Sequence, residues 1–87
     1  MYIIVTYDVS IENLSKVNNL LRQYLHWVQN SVFEGEISES NLQELEKKLQ
    51  EVINLEKESV LIFLFKSRYM FTKKVIGIEK NKVSNIL

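Results

Sequence analysis

The chain has 87 residues, which is the size of one compact domain and leaves no room for a catalytic domain beside a separate binding domain. Hydrophobic residues make up 46% of the chain and charged residues 25%, so a packed core is expected and disorder is not. There is no cysteine, which excludes disulfides, thiolate nucleophiles and cysteine-based zinc sites.

Charge and hydropathy limit the partners that the chain can have. Eleven basic residues balance eleven acidic ones, so any contact with nucleic acid has to come from a local basic surface. The longest apolar run, Val60 to Phe65, is far shorter than the ~20 residues that a membrane helix needs. No secretory signal pattern begins at Met1, and we therefore expect a cytoplasmic protein without a membrane partner.

The first predicted element is a strand over Tyr2 to Tyr7, which ends at Asp8. Its β-branched and aromatic residues carry no charge and are typical of a central strand that is buried on both faces. Ser10 is a suitable N-cap, and apolar residues recur after it at steps of three and four. These features predict an amphipathic helix over residues 11–25.

A tight hairpin is predicted next, because apolar residues lie on both sides of a polar run at residues 29–31. Its second strand passes through Gly35, and a glycine within a strand indicates a bulge or the close approach of another segment. Ser40 and Gln43 have the spacing of a capping box. We therefore expect a second helix over residues 40–54.

Two further β segments follow, the apolar run Val60 to Phe65 and a final segment from Tyr69 to Glu79. The order strand, helix, strand, strand, helix, strand is that of the split βαβ in ferredoxin-like folds. The sequence thus predicts an α+β, ferredoxin-like βαββαβ sandwich that forms a single domain over residues 1–87. The extra C-terminal strand needs another edge to pair with, and a homodimer would add the burial that so small a monomer lacks.

Asp8 is the main candidate for chemistry, because it is the only aspartate beside ten glutamates and stands at the end of the first strand. It can also begin an Asx-type turn or help to cap the next helix, and its spacing does not decide between these roles. One carboxylate is a poor Mg²⁺ site, since this ion usually takes one or two carboxylates with waters and substrate phosphates. A two-fold dimer would bring two copies of Asp8 together, and a bound water could then attack a phosphodiester.

Three residues are candidates for contact with nucleic acid. Lys16 is a basic residue of the first helix, Ser31 in the hairpin could bind a phosphate oxygen, and Phe33 could stack on a base or on a partner's ring. Turn formation for Ser31 and core packing for Phe33 are the alternatives. Most enzyme classes lack support, because there is no glycine-rich phosphate loop, no HExxH motif and no recognisable Ser-His-Asp set.

Two motifs carry a resemblance to a known family. They are YIIVTYDVS at the start and WVQNSVFEGEIS after the first helix, with VIGIEK as a weaker third point. In sequence and separation they resemble the small CRISPR-associated endoribonuclease family, which partners the spacer integrase in CRISPR adaptation. The match covers nearly the whole chain. Some relatives have arginines where this chain has Ser15, Lys16 and Trp27, so the basic surface is thinner here.

The resemblance implies a homodimer in which the C-terminal segment, about residues 70–87, pairs with the partner's sheet. It also implies that Asp8 of each subunit binds Mg²⁺ or another divalent cation such as Mn²⁺, in an endonuclease that cuts single-stranded RNA or double-stranded DNA. Relatives further act as a bridge between integrase dimers that hold protospacer DNA, where the metal site can be dispensable. A related toxin-like ribonuclease with the same fold is a further alternative.

Overall fold

The computed structural model describes residues 1–81, and four strands and two helices follow one another there in the predicted order. The elements are β1 (Tyr2–Asp8), α1 (Ile11–Arg22), β2 (His26–Gln29), β3 (Val32–Glu36), α2 (Glu39–Val52) and β4 (Ser59–Phe65). The strands form one sheet in the order β2-β3-β1-β4, and every neighbouring pair is antiparallel. The chain is therefore an α+β protein with the ferredoxin-like topology.

The core lies on one face of the sheet. Ile3, Val5 and Tyr7 of β1 are buried, whereas the residues between them are only half-buried. The three side chains join one hydrophobic cluster with residues of both helices, among them Val17, Leu20, Leu21, Leu42, Leu45 and Leu49. The prediction that β1 is buried on both faces is therefore wrong for the single chain, because the helices cover one face and leave the other open.

The first helix ends three residues earlier than predicted. Gln23 is its C-cap, and the chain then turns so that Leu25 enters the core. The Leu25 N–H still donates to the Leu21 carbonyl at 2.8 Å, which keeps the turn compact before β2 begins. The apolar period continues past the helix end because Leu25 packs on the same core face.

The second helix begins one residue before the predicted start. Its N-cap is Ser38, whose Oγ accepts a hydrogen bond from the Asn41 N–H at 3.1 Å and so satisfies one of the free donors of the first turn. The prediction that Ser40 caps this helix is therefore wrong, and Ser40 lies inside the helix. The helix ends at Val52 rather than at residue 54.

The close approach predicted at Gly35 is confirmed. A Cβ atom added to this residue would lie 3.3 Å from Leu25 Cδ2, in the core. The strand irregularity lies in the neighbouring β2, between Trp27 and Gln29, rather than at the glycine itself. The hairpin turn includes Asn30 with a positive φ of 43°, a conformation that asparagine tolerates better than most residues.

The C-terminal segment crosses the open face of the sheet. After a short 3₁₀ turn at Arg68–Met70, the Phe71 ring packs on Tyr2 and Phe65, with ring centroids 5.4 and 4.6 Å apart. Residues 71–81 form no strand in the described single chain, so the predicted strand from Tyr69 to Glu79 is absent from it. Residues 82–87, the end of the segment expected to pair with a partner, lie outside the described residues.

Neither helix within residues 1–81 combines the length and the apolar character that would let it cross a membrane.

Candidate active site

Asp8 is the last residue of β1, and its side chain is exposed. It faces Ser59 across the antiparallel ladder between β1 and β4. Because successive side chains of a strand point to opposite faces, Asp8 lies on the same face as Thr6 and Ile4, away from the core. The lone aspartate thus stands at one end of the open face of the sheet.

A polar cleft of about 440 Å³ lies next to Asp8, between the loop that precedes α1 and the loop that precedes β4. The residues that line it are Asp8, Val9, Ser10, Glu12, Asn13, Asn54, Lys57 and Glu58. Its three carboxylates, Asp8, Glu12 and Glu58, come from two distant parts of the chain. The cleft is large enough for small polar ligands or ordered water.

Glu58 joins the two loops of this cleft through hydrogen bonds to both of its oxygens. Oε2 accepts from the Ser10 N–H at 2.6 Å, and Oε1 accepts from the Asn54 N–H at 2.7 Å and from Asn13 Nδ2 at 2.8 Å. The backbone N–H groups of Asn54 and Ser10 lower the pKa of Glu58 from 4.5 to about 2, since they favour the charged carboxylate. Glu58 is thus fully ionised at neutral pH.

The carboxylates that one chain supplies near Asp8 are too few to hold a divalent cation without ligands from a second chain or from water. Among residues 1–81, no three histidine, cysteine or carboxylate side chains lie close enough together to hold a metal ion. Glu58 already accepts three hydrogen bonds from N–H donors, one at Oε2 and two at Oε1, so most of its acceptor sites are occupied within the chain. Asp8 and Glu12 remain as exposed carboxylates of the cleft, and Asp8 is the one that ends β1. A second copy of Asp8 would complete the one or two carboxylates that Mg²⁺ usually takes.

The end of the sheet face that carries Asp8 is apolar and open, whereas the C-terminal segment lies over the other part of this face through Phe71 and Lys73. Leu61 and Phe63 of β4 pair with Thr6 and Ile4 of β1, and they are 55% and 49% exposed. Ordinary surface strands place polar residues at such positions, so this face has the composition of a surface that is covered in an assembly.

The hairpin turn that contains Ser31 lies near Asp8. The sequence predicts the hairpin but not that its turn lies beside the end of β1. The Ser31 carbonyl accepts a hydrogen bond from the Tyr7 N–H at 3.2 Å, which places the hairpin turn beside the end of β1. Ser31 is half-buried and Lys16 is exposed on α1. Both predicted contacts with nucleic acid therefore stay predictions, and Ser31 is the one that the fold brings close to the aspartate.

Phe33 is fully buried, so the prediction that its ring stacks on a base is wrong for this structure. The ring lies against Tyr7, with centroids 6.3 Å apart, and the Arg22 guanidinium lies 5.8 Å from its centre. Arg22 also lies 5.9 Å from the Trp27 ring centre and donates to Asn18 Oδ1 at 2.7 Å. Core packing is the role that the structure gives to Phe33.

Sequence reasoning missed Glu58, which it treated as part of a polar turn. The residues that engage it at the first helix, Ser10 and Asn13, are 48 and 45 positions away. No local pattern marks such a contact. The predicted fold could have indicated the position of Glu58, because a residue just before β4 lies beside the end of β1 once these two antiparallel strands pair.

The fold, the open sheet face and one exposed strand-end carboxylate define a small ferredoxin-like α+β protein. A family model described as CRISPR associated protein Cas2 matches residues 1–73. The chain belongs to this family.

Curated relatives match along almost the whole chain. The CRISPR-associated endoribonuclease Cas2 2 of Archaeoglobus fulgidus is 48% identical over 80 residues, which cover 92% of this chain and 87% of the relative. The CRISPR-associated endoribonuclease Cas2 of Thermococcus kodakarensis is 46% identical over 87 residues, the full length of both chains. The family resemblance seen in the sequence is confirmed.

Solved structures show the same fold. A crystal structure of Cas2 is 48% identical and superposes with a TM-score of 0.86, over 92% of this chain and 90% of that one. Streptococcus pyogenes Cas2, crystallised at pH 6.5, is 28% identical and gives a TM-score of 0.78, over 88% and 100% of the two chains.

Proposed function

We propose that this protein acts in CRISPR adaptation, in the cytoplasm, as a metal-dependent endonuclease that cuts single-stranded RNA or double-stranded DNA. The observation that carries the proposal is the exposed Asp8 at the end of β1, on a sheet face that is left open. Relatives that are named endoribonucleases match over the full chain and support the nuclease part. The spacer integrase is the proposed protein partner.

The active form in this proposal is a homodimer that packs through the open sheet face. Leu61 and Phe63 supply apolar surface for such a contact, and Asp8 lies at the end of the same face, so a two-fold axis there can bring two Asp8 carboxylates together. Two facing carboxylates repel each other unless a cation or a proton lies between them. The C-terminal segment, about residues 70–87, would pair with the partner's sheet.

The two Asp8 carboxylates would hold Mg²⁺, or Mn²⁺ in its place. When bound, the cation would neutralise charge that develops on a phosphodiester and make a bound water more acidic. The chain's own residues supply the rest: the Ser31 hydroxyl at the hairpin would bind a phosphate oxygen, and Lys16 would attract the backbone. Glu58 orders the cleft beside the site.

The test is cleavage of labelled single-stranded RNA and double-stranded DNA, with Mg²⁺ and with EDTA. We expect Asp8→Asn to lower the Mg²⁺-dependent rate by at least about 100-fold, because a direct ligand matters more than a residue that only orients one. Glu51→Gln is the matched control, since it removes an exposed carboxylate on α2. Equal rates for Asp8→Asn and wild type in pure preparations would refute the catalytic assignment.

A second candidate is an architectural dimer that bridges integrase subunits on protospacer DNA. The observation that favours it is the small donor set, with no cluster of three metal-binding side chains among residues 1–81. On this hypothesis Asp8→Asn spares spacer acquisition in cells, whereas Lys16→Glu impairs it.

A toxin-like ribonuclease with the same fold is a third alternative. A genomic neighbourhood that has neither an integrase gene nor a repeat array would favour it.

A further inference from the structure

Glu58 is the most heavily hydrogen-bonded carboxylate beside the candidate site, and nothing in the proposed reaction uses it. It accepts three hydrogen bonds of 2.6 to 2.8 Å from Ser10, Asn13 and Asn54. Two of these donors are backbone N–H groups, and each belongs to a different loop. A single side chain thus fixes the backbone on both sides of the cleft.

These contacts fix the backbone close to Asp8 in two segments of the chain, although none of them involves Asp8 itself. Ser10 follows Asp8 by two residues, so its N–H fixes the chain just after the aspartate. Ser59 follows Glu58 directly and is the ladder partner of Asp8. The same carboxylate therefore sets the backbone that leaves Asp8 and the backbone that faces it.

Only a carboxylate satisfies this arrangement. All three partners are donors, and a carboxylate accepts at both oxygens and donates at neither. In Glu58→Gln one amide NH₂ has to face either the Ser10 N–H or the pair formed by Asn13 and Asn54. At least one donor then loses its acceptor, although the side chain keeps its shape.

We propose that Glu58 is a positioning residue that orders the loop after β1 and so holds Asp8 in the geometry that binds the divalent cation. This inference rests on the proposed metal role of Asp8. It assigns Glu58 no contact with the cation or with nucleic acid. It predicts that the affinity of the Asp8 site for a cation depends on Glu58, although the Glu58 oxygens accept hydrogen bonds from Ser10, Asn13 and Asn54.

The experiment is a titration of the ¹⁵N-labelled full chain with Mn²⁺ alone, which broadens the amide signals of residues close to the bound ion. In metal-free Glu58→Gln we expect the amide proton signals of Ser10 and Asn54 to move upfield, because their acceptor is weaker or absent. We then expect the Mn²⁺ concentration that half-broadens Asp8 to rise by about tenfold, which is typical of residues that orient a metal ligand.

Two further variants make the result specific. Glu56→Gln removes an exposed carboxylate from the same turn and should leave the Ser10 signal and the Mn²⁺ titration as in wild type. Asn13→Ala removes one donor and leaves both backbone hydrogen bonds, so we expect a rise that is smaller than in Glu58→Gln. If Glu58→Gln does not fold, Asn13→Ala decides, and an unchanged Mn²⁺ titration in it overturns the inference.

The outcomes separate this inference from the proposed function. A merely structural Glu58 would lower the melting temperature of Glu58→Gln and leave the Mn²⁺ titration of the folded protein at 25 °C unchanged, and that result overturns the positioning role alone. If wild type shows no Mn²⁺ broadening at Asp8, the proposed metal site fails and the positioning role fails with it.

Discussion

Lys73 Nζ lies 2.7 Å from Glu34 Oε2 and joins the C-terminal segment to the centre of the sheet across 39 residues of sequence. The Glu34 side chain is 7% exposed and that of Lys73 is 34% exposed, so the carboxylate is the buried partner. Phe71, two residues before the lysine, packs on Tyr2 of β1. An ion pair and a ring contact thus hold the C-terminal segment on the open face.

Replacement of the lysine should destabilise the protein. In Lys73→Met the buried Glu34 carboxylate loses its charged partner, and we expect the free energy of unfolding to fall by about 2 kcal/mol, the usual value for a hydrogen bond to a charged group. Urea denaturation at a fixed protein concentration measures this. The matched control is Lys74→Met, at an exposed neighbouring position, and an equal loss in both variants would show that the ion pair contributes nothing.

The hydrogen bonds of Glu58 should make stability depend on acid pH. Because the folded-state pKa is about 2 and the ordinary value is 4.5, the unfolded chain takes up a proton first as the pH falls. The contribution of Glu58 is therefore complete above pH 4.5 and is lost between about pH 4.5 and 2. Urea denaturation of wild type and Glu58→Gln should differ most near pH 6 and converge near pH 2. A difference that stays constant over this range would contradict the lowered pKa.

The start of α2 gives a test of which serine caps the helix. Ser38→Ala should lower the free energy of unfolding by about 1 kcal/mol, because the Asn41 N–H then loses its side-chain acceptor. Ser40→Ala, within the helix, should change it by less than about 0.5 kcal/mol. Thermal or urea denaturation distinguishes the two, and the reverse order would support the capping box predicted from sequence.

The open sheet face should decide the oligomeric state. In Phe63→Glu a charge replaces an apolar ring on the face that carries Asp8. On the homodimer proposal, we expect light scattering to give a dimer for wild type and a monomer for Phe63→Glu at the same concentration. Leu55→Glu places the same charge at an exposed leucine outside this face and should leave the dimer intact. A dimeric Phe63→Glu protein with an unchanged circular dichroism spectrum would exclude assembly through this face.

The sequence predicts the order of elements because periodicity and caps are local properties. Asp8 is identified as a candidate site residue for the same reason, since the sequence alone shows that it is the only aspartate and that it ends a predicted strand. The burial of β1 was predicted wrongly, because apolar residues such as Tyr2 and Ile4 on the second face of the strand form the same sequence pattern whether or not another layer covers them. The role of Glu58 could not be predicted, because two of its three donors, Ser10 and Asn13, come close to it only after β4 pairs with β1.

A cation site shared by two copies of Asp8 is tested most directly by the number of divalent cations bound per chain, measured by equilibrium dialysis of the wild-type protein against Mn²⁺. Paired Asp8 carboxylates predict one Mn²⁺ for every two chains, and loss of that site in Asp8→Asn. One Mn²⁺ for every single chain, or the same binding in Asp8→Asn as in wild type, would contradict a site shared between two copies of Asp8.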